Sequence, residues 1–136
     1  MITECYTDGS FRKLGSAAAV VIYQNGKEVF RTVKPVIANN SIIPEAEAIV
    51  LAVGLCHIAN YTRPLILTDS QVLYEQFYRT KNVNSPNVFP YISTLWEMER
   101  VFPFSIQFVK RDKVFVPHDI CHKFIIQQAE LYESRN

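Results

Sequence analysis

Three carboxylates in this chain stand where element ends would present them to a common edge. Asp8 follows Tyr6-Thr7 and precedes Gly9-Ser10, Glu47 sits in Ala46-Glu47-Ala48, and Asp69 sits in Leu67-Thr68-Asp69-Ser70-Gln71. Acids brought together repel one another and need a counter-ion to stay charged. Hard divalent cations such as Mg²⁺ suit oxygen ligands of this kind. Each acid alone has a plainer use. Asp8 before Gly9 suits a turn, Asp69 before a helix suits an N-cap, and Glu47 suits the positive end of a helix. The chemical reading therefore rests on their combination.

The elements that must position these acids are legible in outline. Ile2–Thr7 alternates and is rich in β-formers, so a strand is expected there, ending in a turn at Asp8-Gly9-Ser10. Ser16–Gln24 and Lys27–Val33 read as two strands joined by the hairpin signal Asn25-Gly26. Pro44 opens a helix expected to reach Asn60. On it Glu47 shares a stripe with Val50, Leu51, Gly54, Leu55 and Ile58, although the face carrying Ile49, Val53 and Cys56 is apolar as well. Leu65–Thr68 is a short apolar run of the kind found in buried parallel strands. Helices over Ser70–Tyr78 and Tyr91–Val101 flank a polar loop at Lys81–Pro90. A fifth strand over Phe104–Lys110 and a final helix over Pro117–Ser134 complete the chain.

The order predicts an α/β fold: a mixed five-stranded sheet, three antiparallel strands followed by parallel crossovers, with helices on both faces. If the first and fourth strands are parallel neighbours, Asp8 and Asp69 emerge at the same sheet edge, where open α/β sheets bind ligands. No linker or repeat interrupts the pattern, so one domain over residues 1–136 is expected.

Composition narrows the class. With 49% hydrophobic and 20% charged residues the chain is globular, and its net charge of +1 is unlike that of a dedicated sequence-specific DNA binder. The three cysteines (Cys5, Cys56, Cys121) form no C-x-x-C pair and read as buried thiols in a reducing compartment. No apolar run is long enough for a membrane span, and the first residues lack the pattern of a signal peptide. A cytoplasmic protein without a membrane partner is expected.

The motifs Tyr6-Thr7-Asp8-Gly9-Ser10, Ala46-Glu47 with Gly54-Leu55, and Leu67-Thr68-Asp69-Ser70-Gln71, in this order, resemble the ribonuclease H family, type 1 branch. The resemblance covers about Ile2 to Leu131. It implies a ribonuclease H-like fold and two-metal hydrolysis of the RNA strand in an RNA–DNA hybrid. Asp8, Glu47 and Asp69 would hold two Mg²⁺ or Mn²⁺ ions with substrate, and Gly9, Ser10 and Gln71 would contact the RNA strand. A reverse transcriptase or polymerase context is compatible with it.

The pattern departs from the family at four places. His122 falls where the family carries its fourth catalytic Asp, and it is taken as the fourth site residue, able to ligate metal weakly or to move a proton. His118 falls at a helix-start position and reads as a helix-terminus residue. His118-x-x-Cys121-His122 lacks the second pair a zinc site would need. Asn39-Asn40 lies several residues earlier than the family's Asn pair. The segment Thr80–Pro90 is too short for a basic hybrid-binding insertion, leaving Arg79, Lys81, Lys110, Arg111 and Lys113 as a modest basic rim or a scattered surface. Trp96 and the strand aromatics read as packing. Alternatives to the leading function are a nucleic-acid-binding module with weak or no catalysis, and another nuclease on the same fold.

Overall fold

The computed structural model describes residues 1–135. Strands β1 (Thr3–Arg12), β2 (Gly15–Gln24) and β3 (Lys27–Val36) form an antiparallel meander. Helix α1 (Ile42–Ile58) leads to β4 (Leu65–Thr68), then α2 (Gln71–Phe77), α3 (Phe89–Val101) and β5 (Ser105–Phe108). A single 3₁₀ turn at Arg111–Val114 introduces α4 (Phe115–Arg135). The five strands lie in the order β3-β2-β1-β4-β5, with β1 antiparallel to β2 and parallel to β4. The mixed sheet expected from the sequence is the one observed.

Side chains on β2 show how the sheet is covered. Ala17 and Ala19 pack against Cys121 and Ile125 of α4, whereas Val20 and Ile22 join the larger core with Ile49 and Val53 of α1, Ile66 of β4 and Leu95 of α3. Alternate residues thus meet helices on opposite faces, so β2 is apolar throughout instead of alternating with polar residues. Asn25 and Gly26 both adopt positive φ (52° and 80°), the geometry the two-residue hairpin requires.

The element ends depart from expectation where they matter for the site. Asp8-Gly9-Ser10 is not a turn: β1 continues to Arg12, with Asp8 opposite Ala19 and Ser10 opposite Ala17. Small alanines on β2 leave space for polar side chains at these positions. Helix α1 begins two residues before Pro44. Ser41 occupies the N-cap position without a side-chain cap, and Asn40 just before it takes that role: its Oδ1 accepts from the backbone N–H groups of Ile42 and Ile43 at 3.2 Å each. Helix α2 is capped by Ser70, whose Oγ accepts from the Leu73 N–H at 3.3 Å, which leaves the Asp69 carboxylate free for other work.

Candidate metal centre

Asp8 and Asp69 are placed by strand register. The last β1–β4 pair is Tyr6 with Leu67, and each acid lies two residues further along its own chain. Thr7 Oγ1 donates to the Leu67 carbonyl at 2.8 Å, tying the two strands together just before the acids. The third carboxylate comes from α1, and Gly9 decides which residue supplies it. A Cβ on Gly9 would lie 2.1 Å from the Pro44 carbonyl carbon and 2.2 Å from the Glu45 nitrogen. The first turn of α1 therefore rests directly on the β1 backbone beside Asp8, a contact open only to glycine.

That contact brings Glu45, not Glu47, to the acids. One carboxylate oxygen from each of Asp8, Glu45 and Asp69 lies within 4.8 Å of the others. The expectation that Glu47 joins them is corrected: its Oε2 accepts from Lys34 Nζ at 2.8 Å and its Oε1 from Tyr91 Oη at 2.7 Å. Two residues along a helix turn a side chain by about 200°, so Glu45 and Glu47 project to opposite sides. Glu47 faces β3 and α3.

The electrostatics of the two places differ accordingly. Burial, then the charge of Asp69, pushes Asp8 up to about 7, against the lowering influence of Arg111, the Gly9 N–H and Arg12. Burial, then the charges of Asp69 and Asp8, pushes Glu45 up to about 7, although Ser70 and Arg111 act to lower it. Burial acts to raise Glu47 too, but the hydrogen bonds from Lys34 and Tyr91 outweigh it and hold the carboxyl below its usual range. Tyr91 is in turn pushed up to about 12, by burial and by donating to Glu47.

Asp69 Oδ1 is buried without a hydrogen-bond partner among the described residues, and Oδ2 lies 3.6 Å from Arg111 Nε. A buried carboxylate oxygen left unpaired is costly unless a ligand meets it. Three mutually repelling carboxylates, one with such an oxygen, match the donor set of a hard divalent cation. The residues present therefore fit the metal that the ribonuclease H resemblance implies, with Glu45 in place of Glu47.

The two histidines are exchanged relative to expectation. His118 Nδ1 lies 3.0 Å from Asp8 Oδ2. His122, one turn further along α4, stands outside the carboxylate cluster, and its Nδ1 is buried without a partner among the described residues. A groove of about 370 Å³ opens beside the acids, and Ser10, Arg12, Ser41, Glu45, Arg111 and His118 line it together with Gly9. Ser10 Oγ accepts from Arg12 Nε at 3.2 Å. Gln71 instead points along its own helix and donates to Glu75 Oε1 at 3.0 Å. Sequence reasoning missed Glu45 and His118 as site residues, and placed Arg111 only in a basic rim or a scattered surface. For Glu45 a signal existed, because the residues sharing its stripe (Ala48, Ile49, Ala52, Val53, Cys56) are all fully buried.

The family described as reverse transcriptase-like matches residues 6–124 of the chain. Among solved structures, ribonuclease H1 from Halobacterium salinarum superposes with a TM-score of 0.84 at 18% identity, over 90% of this chain and 96% of its own. LC11 ribonuclease H1, obtained from compost by a metagenomic approach and solved in complex with an RNA/DNA hybrid, gives 0.84 at 16% identity, over 93% and 98%. The N-terminal ribonuclease H domain of a Mycobacterium tuberculosis protein gives 0.84 at 12% identity, over 96% and 97%. No curated protein sequence matches the chain. The expected ribonuclease H-like fold is thus the one observed. Among the described residues, no helix is long and apolar enough to cross a membrane.

Proposed function

The chain belongs to the reverse transcriptase-like family, and from that membership we propose that it is a metal-dependent endonuclease that hydrolyses the RNA strand of RNA–DNA hybrids. The observation that carries this reading is the meeting of Asp8, Glu45 and Asp69, from three separate elements, within 4.8 Å. A site built only for structure has no use for three unneutralised acids at one sheet edge.

Asp8, Glu45 and Asp69 would hold the cations. When bound, divalent metal supplies charge stabilisation for the phosphodiester and lowers the pKa of a water that attacks it. The chain's own groups do the rest. Arg12 and Arg111 border the groove and would meet the phosphate backbone. The Ser10 and Ser41 hydroxyls on the same groove are suited to reading 2′-hydroxyls, the feature that separates RNA from DNA. His118, whose Nδ1 lies 3.0 Å from Asp8 Oδ2, would hold that carboxylate in position at the groove. Gly9 acts by letting α1 approach, and Gln71 sits at the start of α2, next after the Ser70 cap.

A binding module with weak catalysis is the second reading, favoured by one observation: the position expected for a fourth acid is His122. Cleavage of a labelled RNA–DNA hybrid in Mg²⁺ and in Mn²⁺ separates the two, with single-stranded and double-stranded RNA as controls. Hybrid-only cleavage by the wild type, abolished in Asp69→Asn, supports the nuclease. Tight hybrid binding without cleavage in either metal, by folded protein, supports the module and rejects the nuclease.

A further inference from the structure

Cys5 on β1 and Cys56 on α1 are both fully buried, and their sulfurs lie 3.2 Å apart. That is closer than the roughly 3.5–4 Å at which non-bonded heavy atoms ordinarily rest. The third thiol, Cys121 on α4, sits on the other face of the sheet, beside the carbonyl oxygens of Asp8 and Ala17 at 3.5 and 3.6 Å. All three are free thiols. The Cys5–Cys56 contact plays no part in the acid site, yet it joins the strand that carries Asp8 to the helix that carries Glu45.

We propose that Cys5 and Cys56 are a disulfide-forming pair, which an oxidising thiol–disulfide environment converts into a covalent staple between β1 and α1. The bond needs the sulfurs to close to about 2.05 Å, a movement of the order of 1 Å that side-chain torsions can absorb. In the step, each cysteine gives up one electron and one proton. A small-molecule disulfide such as oxidised glutathione accepts both pairs and leaves as two thiols, by way of a mixed disulfide on one protein sulfur. Both thiols are fully buried, out of reach of a small-molecule disulfide, so attack from the closed native state is slow. Oxidation therefore proceeds while β1 and α1 are assembling or transiently open. The partners are 51 residues apart in the chain, so the bridge closes a long loop and restricts the unfolded state strongly.

The test refolds the denatured, reduced protein in a glutathione redox mixture, alkylates residual thiols with iodoacetamide, and maps the peptides by mass. The expected product carries one Cys5–Cys56 bridge and a single alkylated thiol at Cys121. Its Tm should exceed that of the reduced protein by about 5–15 °C. In Cys56→Ser the Tm should not respond to the redox mixture. Should that variant not fold, the wild-type peptide map alone decides. Three alkylated thiols after refolding, a bridge that includes Cys121, or a bridged protein no more stable than the reduced one would each overturn the proposal.

Discussion

Glu45 and Glu47 lie one residue apart from a shared neighbour on α1, yet they occupy opposite electrostatic worlds. Glu45 faces two other carboxylates, with its own carboxyl raised to about 7. Glu47 faces an ammonium and a phenol, with its carboxyl lowered. The second acid is already satisfied by the protein, so it secures α1 to β3 and α3. The first is not, and an acid held in unrelieved repulsion is the one that calls for a cation. Strain of this kind separates a functional carboxylate from a structural one where residue type cannot.

The sharpest way to break the comparison is to neutralise each acid in turn. Glu45→Gln should cut hybrid cleavage by at least about 100-fold and weaken Mn²⁺ binding in calorimetry to a similar degree. Without metal, the same variant should melt at a higher temperature than wild type, because a repelling charge has gone. Glu47→Gln should leave cleavage within a few-fold of wild type and lower stability by no more than about 1 kcal/mol. If instead Glu47→Gln is the inactive variant, the assignment of the cluster is wrong.

Gly9→Ala tests the packing that selects Glu45. The added methyl meets backbone of Pro44 and Glu45, which cannot rotate away. A loss of about 2–4 kcal/mol in urea unfolding is expected, together with loss of metal binding. Unchanged stability would mean that α1 does not rest on β1 there.

The pH dependence follows from the two raised carboxyls. Asp8 and Glu45 have folded pKa values of about 7 against ordinary values of 3.8 and 4.5. Between those limits the folded state holds more protons than the unfolded chain, so metal-free stability falls as pH rises through this window. The groups share one site and titrate together. A Tm series in EDTA should therefore decline from about pH 4.5 to about pH 7 and level off above it. Added Mg²⁺ should remove most of the decline, and Mg²⁺ affinity should rise over the same range as protons leave. A flat EDTA series would show that the acids are not coupled as described.

The smallest expected effect sharpens the same contrast on α4. His118→Ala should slow cleavage by about 10-fold or more, whereas His122→Ala should change it less, since only His118 touches Asp8. The reverse ranking would return the fourth position to His122.

Much of this protein was legible in its residues. Asn25-Gly26 between two runs of β-formers marked the hairpin, and the short apolar run Leu65–Thr68 marked the buried parallel strand beside β1. Asp8 and Asp69 could be named because each follows a run of β-formers, and their adjacency because strand order sets those runs side by side, although β1 continues past Asp8 to Arg12. Helix α1 is different, because it is apolar on nearly every side and offers no single stripe to orient. The sequence motif selects Glu47 by its distance from Gly54-Leu55, while the burial of Ala48, Ala52 and Cys56 turns the other face to the sheet. Small residues on that face and Gly9 on β1 permit an approach that no linear spacing records. The choice between His118 and His122 has the same origin. Both lie on α4 one turn apart, and the depth at which that helix meets Asp8 is a contact between residues 110 positions distant. Which residues are acidic, and which elements carry them, is local chemistry written along the chain. The side each helix turns to the sheet is decided by long-range packing.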